Sequence, residues 1–217
     1  MKTNIFSSSK RGFSAVDLLI VIATIVVIAG VVLPMMSRPK GKGHQRIRCV
    51  NNLKQVSIGF RLYAIDGDPY PSYNMTNQAW NYLQTVGREI GSPKVLLCPE
   101  DASRSQPALN FEEVPAENSF SSPAFQNNAL SYFYGVDSSE DKPGMILSGD
   151  RSLSTNATIL SGLLSIETNT PVQWAKGLHP IGGNVGLADG SVSQMNDARL
   201  LDLVRTGTNG TQRLLIP

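Results

Sequence analysis

Three groups of residues in this 217-residue chain carry side chains that could do chemistry. His179 and Asp189 are separated by nine residues, with Gly190 next. A His–Asp pair can orient a nucleophile in a hydrolase. No Gly-x-Ser-x-Gly elbow accompanies this one, so no catalytic residue is expected, and a His179–Asp189 hydrogen bond pinning a loop over a hairpin is the expected role. Cys49 and Cys98 are the only cysteines. A structural zinc site built on Cys usually needs four ligands, which disfavours zinc here. In an oxidising compartment two cysteines pair, and closing this loop stabilises by about 4 kcal/mol. Two buried thiols are the other reading of the same residues. The third group is Asp17, the sole ionisable side chain from Phe13 to Met36. A charge inside so long an apolar run is costly and usually functional.

The run itself positions Asp17. From Leu18 to Leu33 there is no charge, and Thr24 alone carries a polar side chain. About 20 apolar residues suffice to cross a bilayer as a helix. A secretory signal would use Lys2, Lys10 and Arg11 as its basic region, but this run exceeds the usual apolar length and no Ala-x-Ala site follows. A plain single-span anchor leaves Asp17 and the Gly12–Phe13 pair unexplained.

Lys10-Arg11-Gly12-Phe13-Ser14, followed by Asp17, the apolar run and Pro34, resembles the processing segment of type IV prepilins and type II secretion pseudopilins. The resemblance implies that a membrane peptidase cuts after Gly12 and methylates the amine of Phe13. Asp17 then becomes the fifth residue, where Glu is usual, and Pro34 the twenty-second. A cationic amine at Phe13 in an apolar setting is costly unless paired, and the Asp17 carboxylate of a neighbouring subunit can pair it during assembly. Three further stretches extend the likeness: Arg48 to Gln55, Tyr63 to Pro71, and Cys98-Pro99-Glu100-Asp101. Together with His179, Asp189 and Gly190 they resemble the large prepilin-like family that ends in a His-x9-Asp-Gly motif.

What the resemblance implies is a structural subunit of a type II secretion or type IV pilus-like filament, not an enzyme. Its partners would be a prepilin peptidase/methyltransferase, other pilin-like subunits and the membrane. It would sit in a bacterial inner membrane, N-terminus cytoplasmic and head periplasmic or extracellular. The alternatives are a membrane-tethered extracytoplasmic binding module that does not polymerise, and an anchored hydrolase.

Charge divides the chain. Residues 1–65 hold ten Lys/Arg against one acid, a balance of +9, and residues 66–217 hold nine against sixteen, a balance of −7. Seven basic residues and no acid lie from Arg38 to Arg61. Basic residues near an anionic surface contribute about 1 kcal/mol each, so a headgroup-facing stalk is expected. Nucleic acid is not an expected partner, because no recognition module accompanies the charges. The positive-inside rule, taken alone, would put the head in the cytoplasm, opposite to what the resemblance implies.

The expected organisation is a leader at 1–12, a membrane or filament-core helix at 13–36, a kink and amphipathic stalk helix at 37–65, and a head at 66–217. The fold class is α+β: a long N-terminal helix and a head with a mainly antiparallel sheet, as in pilins. Ile47, Val50, Leu53, Val56, Phe60 and Tyr63 should form the buried stripe of the stalk helix. Asp66-Gly67-Asp68-Pro69 reads as a helix stop. No cofactor is expected; this acidic loop could take calcium but lacks the ligand spacing of an EF-hand. A helix near 75–90, a strand at Lys94–Leu97 and a long exposed loop at 100–128 should follow. Strands are expected at Ser131–Tyr134, Met145–Ser148, Thr158–Leu164 and Val172–Trp174. The motif region reads as a hairpin, 184–188 and 191–195, turning at Asp189-Gly190. A short helix capped by Asn196 or Asp197 precedes a loosely held tail of twelve residues.

Overall fold

A helix that is apolar on every side has no preferred face to bury, and helix α1, Ala15–Met36, has none: no residue of its spanning window, Ala15–Leu33, is buried. It is the one helix among the described residues long and apolar enough to cross a membrane. The computed structural model describes residues 14–36, 42–71, 77–104, 106–113, 116–156, 158–207 and 211–217. The expected leader, Gly12, Phe13 and residues 37–41 of the expected kink lie outside the described residues. Pro34 falls in the last turn of α1. The chain divides into two compact units, residues 1–40 and 41–217.

The second unit starts with α2, Lys42–Ile65. Cys49, Leu53, Val56 and Phe60 are fully buried along it. Ile47, expected in that stripe, is 61% exposed. The buried stripe passes through Cys49 instead, because Cys49 and Leu53 are one turn apart. Gly67, at φ +102, ends the helix, and its N–H donates to the Ala64 carbonyl at 3.1 Å.

Two short helices follow, α3 (Ala79–Thr85) and α4 (Gly87–Ile90), where one was expected. Pro93–Leu96 is a 3-10 turn, not the expected strand. A four-residue apolar run does not distinguish the two, and Pro93 fixes φ at its start. Among the described residues the 100–128 stretch carries no regular strand, but it is packed rather than exposed throughout: Asp101, Ala108, Ser119 and Phe120 are buried. Phe120 meets Trp80 and Phe111 edge-on, with centroids 6.4 and 5.6 Å away.

The strands are β1 (Tyr132–Gly135), β2 (Ile146–Asp150), β3 (Leu153–Thr155), β4 (Thr158–Ile159), β5 (Gly162–Ile166), β6 (Val172–Trp174), β7 (Gly183–Leu187) and β8 (Val192–Met195). Helix α5 (Asp197–Gly207) and strand β9 (Gln212–Ile216) complete the chain. Asn196 caps α5, its Oδ1 accepting from Arg199 N–H at 3.0 Å. A six-stranded sheet runs β5-β9-β1-β2-β7-β8, and a three-stranded one runs β4-β3-β6. Every strand pair is antiparallel. The fold is therefore α+β.

The tail expected to hang loosely is β9, inserted between β5 and β1 with Leu214, Leu215 and Ile216 buried. Five residues without clear alternation look like a tail in isolation. Their neighbours, distant in sequence, supply the burial.

Both faces of the larger sheet are covered. Tyr132, Tyr134 and Leu215 join Phe60 and Val56 of α2 in one core, while Phe133, Leu214 and Ile216 join Trp174 and α5 residues Leu200 and Val204 in another. Tyr134 stacks on Phe60 at 5.0 Å and on Tyr82 at 4.9 Å. Gly135 ends β1, close beside β2. A Cβ there would fall 2.0 Å from the Ile146 carbonyl oxygen. Gly135→Ala should therefore force the two strands apart and destabilise the protein by about 3 kcal/mol. A lowered urea midpoint at unchanged m, measured on the full chain in detergent, checks this; an unshifted midpoint refutes it.

Candidate functional site

The residues that converge chemically do so where the Cys98 loop, the end of β2 and the start of β7 meet. Cys49 and Cys98 form a disulfide, with Cα atoms 4.8 Å apart, that ties α2 to this loop. Beside it lies His179, its side chain fully buried. His179 Nδ1 faces Glu100 Oε2. Nε2 faces Asp150 Oδ2 at 3.1 Å and lies 3.2 Å from Asn184 Nδ2 and 3.7 Å from Cys98 Sγ.

The Asp150 carboxylate is held in turn. Its Oδ2 accepts from Asn184 N–H at 2.7 Å and from Asn184 Nδ2 at 2.9 Å. Asp150 Oδ1 and Asn184 Oδ1 are buried with no hydrogen-bond partner among the described residues. The next residue along each segment makes a second pair. Arg151 grips Asp101 in bidentate fashion, Nε to Oδ2 at 2.8 Å and Nη2 to Oδ1 at 2.9 Å, a geometry that adds specificity as well as energy. Ser131 Oγ donates to Asp101 Oδ2 at 2.9 Å.

Burial and neighbours act in opposite directions here. Burial alone would lower the His179 pKa, but the hydrogen bonds and charges of Asp150 and Glu100 outweigh it and raise it above 6.5. Burial raises the Asp150 carboxyl above its ordinary value, although His179 and Asn184 oppose it. Burial would also raise Asp101, but Arg151, Ser103 and Ser131 bring it below the usual range. The site thus sets one buried imidazole between the carboxyl groups of Glu100 and Asp150.

The expected His179–Asp189 hydrogen bond is not the one that forms. Both ring nitrogens of His179 are engaged by Glu100 and by Asp150, and the Asp189 carboxylate caps its own turn, Oδ1 accepting from Ser191 N–H at 2.8 Å. Nine residues of spacing do not bring the pair together, because β7 runs straight between them. Gly190, at φ +85, closes the turn, its N–H donating to the Leu187 carbonyl at 3.0 Å. A three-residue loop with glycine in the left-handed region fits this hairpin.

The two ends of the motif have one job each along α2. Arg61 donates to the Asp189 carbonyl oxygen, and Arg46 to the Ile181 carbonyl oxygen. Tyr70 OH donates to the Ala188 carbonyl at 3.0 Å. Between them, Gly186 sits where a Cβ would meet Ser57 Oγ at 2.6 Å. Two of the seven basic residues expected to face lipid headgroups thus hold the hairpin.

Asp17 has a local partner. Its Oδ2 accepts from Ser14 N–H at 3.0 Å, and Ser14 Oγ accepts from Val16 N–H at 3.3 Å. Ser14 thus caps the Val16 amide and Asp17 supplies the return half of a capping box, a role the sequence reading missed although Ser14 and Asp17 have its spacing.

Glu100, Asp150 and Asn184 were also missed as site residues. Asp150 ends an apolar strand, where an acid has no reason to be unless it is paired; that was the available signal. A cleft of about 570 Å³ opens beside the site, lined by Gln45, Glu100, Lys176 and His179 among others. No protein-family model, curated protein or solved structure matches the chain.

Proposed function

We propose that this chain is a pilin-like structural subunit, anchored by α1 and assembled through it into a filament of the type II secretion or type IV pilus kind. The observation that carries the reading is α1 itself: apolar on all sides, with no buried residue in its spanning window, and interrupted by a single carboxylate in its first turn. A helix apolar all round is built for lipid or for other apolar helices. One acid four residues after Phe13 suits pairing with a new amine there. In this reading a prepilin peptidase cuts between Gly12 and Phe13, the head lies outside the inner membrane, and Pro34 marks the end of the packed segment. The chain carries out no catalysis of its own.

Asp17 then has two uses. In the lone subunit it caps α1; in the assembly it exchanges the Ser14 amide for the Phe13 amine of a neighbour. Asp17→Ala should abolish incorporation into filaments while the subunit stays membrane-bound, as seen by fractionating sheared filaments against membranes. Mass analysis of the mature N-terminus provides the second check. An N-methylated Phe13 is expected, and an intact Met1 on a protein that does not polymerise leaves the tethered binding module as the better reading.

A further inference from the structure

The disulfide, the buried histidine and the cleft together form an arrangement that the filament reading does not use. Among the described residues, Cys49, Cys98 and His179 are the one group of three potential metal ligands, their ligand atoms all within 4.8 Å of one another. We propose that the Cys49–Cys98 pair is a redox-exchangeable metal site, in which the two thiolates and His179 Nε2 bind a borderline-soft divalent cation such as zinc when the disulfide is open.

The donor set suits that class of metal. Two thiolates and an imidazole select zinc or its analogues over magnesium or calcium, and three protein ligands leave a fourth tetrahedral position for solvent. His179 is already oriented as a ligand. Its Nδ1 is engaged by the Glu100 carboxylate, and Nε2 lies 3.7 Å from Cys98 Sγ, so the metal takes Nε2 in exchange for its 3.1 Å contact with Asp150 Oδ2. A carboxylate on the far nitrogen is the arrangement that fixes the tautomer and raises the basicity of metal-bound histidines. The Asp150 carboxyl borders the imidazole through Oδ2, and its buried Oδ1 lacks a partner among the described residues. The neighbouring cleft, with Glu100 and His179 in its wall, offers a route in from solvent.

The exchange balances in two steps. A dithiol reductant passes two electrons and two protons to the Cys49–Cys98 bond, giving two thiols and the oxidised reductant. The metal then displaces both thiol protons to solvent and takes neutral His179 Nε2 as its third ligand, a protonated imidazole giving up its Nε2 proton to solvent in the same step. Oxidation by a disulfide-bearing partner runs the sequence backwards and releases the metal. One pair of sulfurs thus holds either each other or the ion, never both.

The test uses the full chain in detergent micelles, opened anaerobically with a phosphine and titrated with cobalt(II). One equivalent should bind, giving sulfur-to-cobalt charge-transfer absorption and the visible bands of tetrahedral cobalt. The oxidised protein should give neither. Glu100→Gln should weaken binding about 10–100-fold with the charge-transfer band intact. His179→Ala should change the visible bands, since one nitrogen donor is lost. Near-ultraviolet circular dichroism follows the fold in every case. A reduced protein that stays folded without binding cobalt, that binds it identically without His179, or that unfolds before binding overturns the proposal.

Discussion

Replacing His179 by Ala should destabilise the head by about 4 kcal/mol near neutral pH, the cost of leaving a buried charge without its partner. Asp150 is wholly buried, and its Oδ2 would keep only Asn184. The ion pair need not be more stabilising than an apolar replacement of both partners. Removing one side alone is what costs. Adding Asp150→Asn to His179→Ala should therefore recover part of the loss. The pH dependence has a definite sign. His179 is raised above 6.5 in the folded state, so its stabilisation is fully present below 6.5 and is lost as pH rises through the higher folded value. Asp150, raised above 3.8, changes stability in the same direction. Asp101 is lowered, and its contribution is lost instead as pH falls through its folded value. Urea midpoints of the wild type should fall as pH climbs from 6.5, and in His179→Ala that fall should disappear. Its persistence in the variant would show that another group titrates.

The second large effect belongs to the disulfide. Cys49 and Cys98 are 49 residues apart, and opening a loop of that length costs about 4 kcal/mol in the chain-entropy model. The Cys49→Ser/Cys98→Ser double variant should show this loss in urea unfolding. The α2 docking should nonetheless keep its register. Asn52 Nδ2 still donates to the Leu97 carbonyl at 2.8 Å, and Tyr132 OH to the Cys49 carbonyl at 3.3 Å. Cobalt added to the reduced wild type at a thousand times its Kd should restore about 4 kcal/mol. The double variant should gain nothing. A reduced protein as stable as the oxidised one would mean that the bridge adds no constraint to the unfolded chain.

Much of the fold was legible because its signals are local. The composition of residues 15–36 dictates an apolar helix whatever surrounds it. The spacing of Leu53, Val56 and Phe60 marks the inner face of α2, and Asp189-Gly190 between two β-rich runs marks a hairpin. Each depends on neighbours within a turn or two.

What escaped the sequence depends on contacts far along the chain. Residues 212–216 become a central strand only because β5 and β1 flank them. Lys94–Leu97 reads as a strand until Pro93 and the packing around Leu96 make it a 3-10 turn. The candidate site follows the same logic. The sequence by itself determined that His179 and the Asp189-Gly190 turn flank one strand. Only the tertiary structure decided that His179 pairs with Glu100 and Asp150 rather than with Asp189. A β-strand separates its own ends at a fixed rise per residue, whereas the burial of a charge can be offset only by an opposite charge packed against it, wherever in the chain that partner lies.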